Sequence, residues 1–547
     1  MTQPTPATGS PILVKGRPAR WHDAPAMLRD KALQHGGKIF TVIDSQPLSY
    51  TAFDAQADAV ADNLCAMGVK PGDRIASLMF NCVEQVLGWF GANRAGAIWA
   101  PLNASLFGDD LVHTLADTGA RVLIVDAENA DKLAALPPQQ RDALRIYVAG
   151  GTPGQGQLPF EQLLAPAERA KRPVLAPGMP AMILYSGGST GLPKGIVLPH
   201  FALVCVGYRY GEVLGVSAQD RHFTTLPMFH ASGTQFGILG PLLNDMTSAI
   251  DRRFSVSSYW ERVRSTGATI IDPIGTMMTV LTQAPPDARD RDHAVRVSTG
   301  VNGQVPPAVP AAFTERFGVD IVDIYGNSES GGAMLTSNQV DAQVAGSVGH
   351  PNGWSQIAIL DDNDCEVPAG TMGRIAMRPT IPYSFMLGYH NNAARTVEAW
   401  RNFWLQTGDL GRVDEKGYLF FAGREAHWLR RRGENISANE VESILSQHPA
   451  VQECIVVGVP SELGEEDVKA CVVARGTPPP PEALVRWCEE RMAAFKVPRS
   501  IAFVDDFPRS AAKREVERNK VRAWSNDGAW DREREMGRLS GQGRRKA

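Results

Sequence analysis

Between Thr51 and Val125 the chain keeps switching between helical and strand-like patterning, and that alternation restricts its fold more than any other feature. Phe53, Ala57, Val60, Ala61 and Leu64 recur at helical spacing within Thr51 to Val69, which predicts a helix with one apolar stripe. Thr51 stands where a cap would, Asp54 follows at the third helical position, and Gly68 closes the run. Arg74 to Phe80 reads as a strand, Val83 to Arg94 as a helix with an apolar face, and Val122 to Val125 as another strand. Such a chain builds an α/β fold around a largely parallel sheet. No internal repeat of fixed period is visible.

With 547 residues the chain has room for several domains at roughly 150 residues each. Residues 1–20 are rich in Pro, Thr and Gly and read as a flexible leader. Residues 21–423 form a large N-terminal unit of several subdomains, in which Gly150 to Gly156 reads as a loop. The pattern changes where Gly423-Arg424 leads into Arg430-Arg431-Arg432-Gly433. Residues 424–525 read as a small α+β domain. Ser437 and Glu440 have capping-box spacing, Cys454 to Val459 and Cys471 to Ala474 are strand-like, and Pro478 to Pro481 precede an amphipathic helix from Glu482 to Phe495. Residues 526–547 read as a solvated tail.

Composition excludes several classes. Apolar residues make up 44% and charged residues 21%, ordinary values for a globular chain. The net charge of −4 offers no global basic field for nucleic acid. Seven cysteines lie apart with no C-x-x-C pair, which fits a reducing, cytoplasmic setting better than a disulfide framework or a cysteine zinc site. The N-terminus has no apolar core of a secretory signal. The most apolar stretch, Val86 to Ala100, is interrupted by Asn93 and Arg94, so no span of the ~20 residues a membrane helix needs is expected.

The strongest chemical signal lies at residues 181–200, AMILYSGGSTGLPKGIVLPH. An apolar strand, Met182 to Tyr185, runs into Ser186-Gly187-Gly188-Ser189-Thr190-Gly191 and then Leu192-Pro193-Lys194-Gly195. Glycines let backbone N–H groups turn towards an anion, hydroxyls add donors, and Lys194 adds a point charge. This chemistry suits a polyphosphate. It is not a Walker A loop, which places Gly before the Lys and Ser or Thr after it; here Pro193 precedes and Gly195 follows.

This stretch resembles the phosphate-binding signature of the acyl-adenylate-forming (ANL) enzymes: acyl-CoA synthetases, luciferases and peptide-synthetase adenylation domains. Further motifs fall in that family's order. Pro227-Met228-Phe229-His230 resembles its aromatic-His motif and Tyr325-Gly326-Asn327-Ser328-Glu329 its Tyr-Gly-x-Thr-Glu motif. Gln406-Thr407-Gly408-Asp409 resembles its Thr-Gly-Asp motif, and Gly423-Arg424 with Arg432-Gly433-Glu434-Asn435-Ile436-Ser437 its hinge and the start of the small domain. The resemblance spans roughly residues 25 to 522. It implies a large adenylation domain with parallel sheets, a small mobile α+β domain, and two half-reactions. A carboxylate and ATP give acyl-AMP and pyrophosphate; a thiol then takes the acyl group. ATP, Mg²⁺ and CoA are the implied cofactors and co-substrates, a small carboxylic acid the substrate, and a homodimer the family's common assembly.

The resemblance also implies roles. Glu329 would hold Mg²⁺ with Thr190, a hard cation preferring carboxylate and phosphate oxygens. Ser186, Gly187, Gly188, Ser189, Thr190, Gly191 and Lys194 would bind ATP, with Ser189 and Thr190 at the β/γ-phosphates and Ser328 at the α-phosphate, and Gly326 and Asn327 would belong to the same nucleotide site. Asp409 would accept both ribose hydroxyls, since a carboxylate only accepts. Arg424 would bind ribose or phosphate oxygens as a fixed fork. Tyr325 would stack on adenine, and Thr299-Gly300-Val301-Asn302-Gly303 resembles the adenine-side segment. His230 would border the reacting carboxylate. His230, Gly275, Met277 and Asn302 would line the acyl pocket, and Arg432, Gly433 and Glu434 would face CoA.

Two departures from the family's pattern stand out. The hinge position two residues after Arg424 is Ala426, where the family has Asp or Lys, with His427 next. The C-terminal motif begins at Pro508-Arg509-Ser510, but its usual lysine slot falls on Arg514, or on Glu515 in a second register, with Lys513 beside them. Lys513 is the residue assigned the adenylation role. The ending and the Arg-Arg-Arg-Gly-Glu-Asn-Ile-Ser stretch look most like the bacterial carnitine/crotonobetaine-CoA ligase branch. The pocket segments are mostly small or apolar and hold no Arg or Lys to mark a second carboxylate. An adenylate-former with another acceptor and a nucleotide-binding paralogue with lost catalysis are the alternatives.

Overall fold

A computed structural model describes residues 11–188, 191–300, 308–338, 344–425, 428–431, 434–461, 466–492, 494, 496–509 and 516–535. Three sheets build the large N-terminal part. In the first, parallel strands Arg74–Leu78, Ile98–Leu102, Val122–Asp126, Arg145–Ala149 and Leu158–Pro159 join the hairpin Pro180–Gly188/Gly191–Pro199, whose outer edge pairs antiparallel with Gly388–Tyr389. In the second, parallel strands Ile39–Ile43, Thr247–Ile250, Arg221–Thr224, Ile270–Ile271, Val297–Thr299 and Asp320–Asn327 run side by side. It closes on the antiparallel strand Gly332–Asn338. The third sheet is antiparallel: Ser355–Leu360, Gly373–Pro379, Trp400–Arg401, Trp404–Val413 and Leu419–Arg424.

The helices form where the periodicity places them. Tyr50–Ala66 buries Phe53, Ala57, Val60, Ala61 and Leu64; each large apolar side chain among these stabilises the fold by roughly 1.5–3 kcal/mol. Its cap is Ser49, whose hydroxyl accepts from Ala52 N, and not Thr51, whose own hydroxyl donates to Gly36 O. Val83–Arg94 is buried on every side from Gln85 onward. The two residues that interrupt its apolarity lie in the core and find partners there, the Arg94 Nε alone among their polar side-chain atoms being left without one. Asn93 bonds the Ala97 and Ala181 carbonyls, and Arg94 pairs with Asp54 and Asp58. Among the described residues no helix is long and apolar enough to cross a membrane.

The C-terminal part has its own core. Strands Val451–Pro460, Glu466–Ala474, Ser500–Phe503 and Trp530–Asp531 form one sheet, mixed in direction. Val456, Val468, Ala470 and Val472 pack on one face against Leu445, Leu484 and Val485. Ile455, Val457, Cys471 and Val473 pack on the other with Phe507 and Val521. Coverage of both faces explains why these strands read as unbroken apolar runs. Ser437 caps Ala438–Leu445 by accepting from Glu440 N, while the Glu440 carboxylate turns to Lys496.

Three expectations change. The amphipathic helix is Pro481–Glu489 and stops short of Phe495. The leader is ordered in its described part as the hairpin Leu13–Val14/Arg17–Pro18. The tail begins with Trp530–Asp531 as an edge strand, because the Trp530 ring packs against the small core.

Candidate active site

The three N-terminal sheets bring their chemistry to one place. Lys194 lies on the returning strand of the first-sheet hairpin, opposite Ser186. Ser186 to Gly188 and Gly191 to Lys194 continue as paired strands, so the described part of the Gly-rich stretch is extended and antiparallel. Ser189 and Thr190 lie outside the described residues. Glu329 sits in the turn after Asp320–Asn327, at the carboxyl end of a parallel strand, where α/β sheets bind ligands. Lys194 Nζ stands 3.0 Å from Glu329 Oε1 and 3.0 Å from the Tyr389 hydroxyl, which itself donates to Glu329 Oε1 at 2.9 Å. Burial alone would raise the Glu329 carboxyl; the Lys194 ammonium outweighs it and holds the group below the ordinary glutamate value. Glu329 is therefore ionised at neutral pH.

The Glu329 turn is clamped from behind. Glu329 O accepts from Met386 N at 2.9 Å. Arg209, 1% exposed, donates to Gly331 O at 2.7 Å and more weakly to Ser330 O. Burial pulls the Arg209 guanidinium down to about 10. Asn327 Oδ1 accepts from Ser330 N, and Ser328 O from Gly331 N. Gly332 has φ +110°, and a Cβ there would fall 1.6 Å from Gln235 Nε2. Gln235 donates to Gly331 O at 3.3 Å and begins a five-residue π-helical turn, Gln235–Leu239, a feature that recurs at functional sites. His230 stands at the head of the same segment, before Ala231–Thr234. The segment that follows the aromatic-His motif is thus in contact with the Glu329 turn through Gln235.

The third sheet supplies Asp409 and Arg424 as a cross-strand pair. Asp409 is 3% exposed, and its Oδ2 accepts from the Tyr325 hydroxyl at 2.6 Å. Arg424 Nε approaches Oδ1 to 3.0 Å, yet the alignment leaves this buried oxygen without a hydrogen bond. Burial raises the Asp409 carboxyl, and neither Arg424 nor Tyr325 fully offsets it. The Tyr325 ring is 2% exposed and packs 6.0 Å from the Phe421 ring, so its clearest role here is to hold Asp409.

Met277 lies on Gly275–Gln283, packed against the apolar cluster of Leu226, Phe236, Met334 and Ile324. Gly300 is required sterically: a Cβ would come 2.5 Å from Asp323 Oδ1. Asn302, Gly303, Ala426, His427, Arg432, Gly433, Lys513, Arg514 and Glu515 lie outside the described residues, as does the Glu434 side chain. The stalk of the C-terminal motif is described. Arg509 bridges to Val516, Glu517 N donates to Pro508 O at 2.8 Å, and Arg509 pairs with Glu453. Among the described residues no cluster of three or more His, Cys, Asp or Glu could hold a metal.

Tyr389 and Arg209 carry no motif. The one trace they leave is Arg209 itself, a charged residue in the mainly apolar helix His200–Leu214, which also carries Glu212.

Residues 28–390 match the AMP-binding enzyme family, and residues 440–514 its AMP-binding enzyme C-terminal domain. The crotonobetaine/carnitine–CoA ligase of Escherichia coli O8 (strain IAI1) is 30% identical over 483 residues, covering 86% of this chain and 92% of that protein. The crystal structure of the anthranilate CoA ligase AuaEII in complex with anthranoyl-AMP superposes with a TM-score of 0.82 at 28% identity, over 92% of this chain and 96% of the other. ATP-bound MatB from Rhodopseudomonas palustris gives a TM-score of 0.82 at 25% identity, over 92% and 98%.

Proposed function

The chain belongs to the AMP-binding enzyme family; it is an AMP-forming acyl-CoA synthetase, and we propose that Lys194, Glu329, Asp409 and Arg424 are the residues with which it holds ATP. In the first half-reaction a carboxylate oxygen bonds to the α-phosphorus, the α–β phosphoanhydride bond breaks, and pyrophosphate leaves. In the second, the sulfur of CoA bonds to the acyl carbon and AMP leaves.

The buried Asp409 Oδ1 carries this reading. It is an acceptor with no hydrogen bond of its own, beside an arginine that is 48% exposed at its side chain and able to move aside. A ribose hydroxyl supplies the missing donor. Tyr325 keeps the carboxylate from rotating. Lys194 and the hairpin N–H groups meet the phosphates. Mg²⁺ fits Glu329: one ionised carboxylate plus nucleotide oxygens is how this ion is usually bound, rather than in an all-protein cage. When bound, the ion neutralises phosphate charge as pyrophosphate departs. Thr190 adds a hydroxyl to that set on the family's pattern, and Arg432, Gly433 and Glu434 face CoA. A cytoplasmic setting suits the seven unpaired cysteines.

The acid site comprises His230, Gly275, Met277 and Asn302. Beyond His230 its described lining, Gly275 and Met277, is small or apolar, which favours a modest apolar or lightly polar monocarboxylate. Met277→Trp is expected to change the order of preference among short, branched and aromatic acids. An unchanged order would place the acid elsewhere.

Incubating the full chain with ATP, Mg²⁺, CoA and a panel of short, medium, branched, aromatic and betaine-like acids is expected to release AMP with one acid class. AMP release that depends on another acceptor and not on CoA would favour the alternative adenylate-former. The C-terminal lysine is tested by Lys513→Ala beside Arg514→Ala. A cation that offsets two converging anions is worth about 10²–10³ in rate. Lys513→Ala should cost that much in adenylation and leave acyl transfer from supplied acyl-AMP within threefold. The reverse ranking would give the role to Arg514.

A further inference from the structure

Behind the apolar lining of the acid site lies a buried polar chain with no part in holding ATP. Tyr210 is on helix His200–Leu214, His222 on strand Arg221–Thr224, and Asp272 directly follows the neighbouring strand Ile270–Ile271. The Tyr210 hydroxyl lies 2.7 Å from His222 Nδ1, and His222 Nε2 lies 3.1 Å from Asp272 Oδ2. All three side chains are at most 2% exposed. With Nε2 donating to the Asp272 carboxylate, Nδ1 accepts from the Tyr210 hydroxyl, the tautomer that uses both ring nitrogens. The acidic member, Asp272, stands at the end of the chain that leads into the helix Gly275–Gln283.

Phe236 and the connection from Asp272 to Gly275 link this chain to the acid site. The Phe236 ring lies 6.2 Å from the His222 ring and 6.3 Å from the Tyr210 ring, and Phe236 shares its cluster with Met277 and Ile274. Asp272 sits three residues before the helix that carries Met277. A buried charge costs desolvation, and well-packed apolar residues of similar volume would often be as stable or more so. Stability alone does not account for this one.

We propose that Tyr210, His222 and Asp272 are specificity-determining residues for the acid. They fix the Phe236 wall and the corner leading into Gly275, and they set a negative charge behind the pocket that disfavours any acid with a second carboxylate. The proposal rests on the acid site assigned above.

The test compares matched pairs, butanoate with succinate and benzoate with terephthalate, on the full chain, read as kcat/KM, or as Kd by calorimetry for acids that bind without turnover. Asp272→Asn keeps the shape and removes the charge; it is expected to raise the dicarboxylate-to-monocarboxylate ratio at least tenfold. His222→Leu is expected to raise the acid KM or Kd at least tenfold with ATP affinity within twofold. His222→Gln, which retains one acceptor and one donor, should recover affinity to within threefold of the parent. Where His222→Leu does not fold, Tyr210→Phe replaces it with the same expectation. A moved ratio supports the proposal whatever Met277→Trp does. An unmoved ratio with Met277→Trp effective overturns the Tyr210–His222–Asp272 proposal alone. An unmoved ratio with Met277→Trp silent overturns the acid-site assignment as well. Equal losses for acid and ATP in His222→Leu would reduce the chain to a structural role and overturn the proposal.

Discussion

Glu329→Gln is expected to lower AMP formation by about 10²–10³-fold, the usual loss when one preorganised electrostatic contact to developing charge is removed. The substitution is nearly isosteric. The Tyr389 hydroxyl can still donate to the amide oxygen, and the clamp behind the turn, made by Met386, Arg209 and Gln235 on backbone carbonyls, is untouched. What goes is the charge that Lys194 faces at 3.0 Å and the carboxylate that suits Mg²⁺. The loss should appear as a raised requirement for Mg²⁺ as well as a lowered kcat. Acyl transfer from supplied acyl-AMP, which needs no pyrophosphate release, should stay within a few-fold. Equal losses in both half-reactions would mean that Glu329 shapes the fold and does not serve the phosphates. The same residue sets a pH limit on stability. Its folded value lies below the ordinary 4.5, so its contribution is complete above that pH and is lost as pH falls through the lowered value. Glu329→Gln should accordingly flatten acid unfolding below pH 4.5 relative to the parent.

Much of this site was legible in the sequence because its chemistry sits at ordered, local motifs. Lys194, Glu329, Asp409 and Arg424 each stand in a short run whose residue types fit anion or ribose binding, and the structure brings all four to the junction of three sheets. Tyr389 was not legible. It reaches Lys194 and Glu329 because Gly388–Tyr389 pairs with Ile196 and Val197 nearly 200 residues earlier, and such a pairing leaves no local period. Arg209 was hidden for a related reason: an arginine in a helix reads as solvent-facing until the turn that needs its donors is folded beside it. Strand pairing through Ser186↔Lys194 was not legible either, because glycine weakens strand propensity and only the returning strand supplies the partner. Misplacing the cap on Thr51 instead of Ser49 is an error of two residues, the normal uncertainty of a helix end. Alternation along the chain gave the parallel sheets well. It gave no sign of the antiparallel third sheet that carries Asp409.

Asp409→Asn is expected to raise the KM for ATP by roughly 10- to 150-fold, since hydrogen bonds to a charged group are worth about 1.5–3 kcal/mol. Its effect on stability should run the other way. The carboxylate is buried, and burial keeps it above its ordinary 3.8 despite Arg424. A carboxyl raised in the folded state makes stability highest below the unfolded value; that stability is lost as pH rises through the folded one. At neutral pH the parent therefore bears the cost of an ionised, incompletely paired carboxylate. Asparagine removes that cost, keeps an acceptor for Tyr325, and leaves Arg424 to solvent, where half of its side chain already lies. Thermal unfolding in the absence of nucleotide should occur at the same temperature as the parent or higher, while ATP should stabilise the variant less. An unstable variant with unchanged ATP affinity would assign Asp409 to the architecture of the third sheet. The expected opposition of effects marks it instead as a group held at a cost in stability because the nucleotide completes it: Tyr325 fixes one oxygen, Arg424 shields the other, and the missing donor is supplied when ATP arrives.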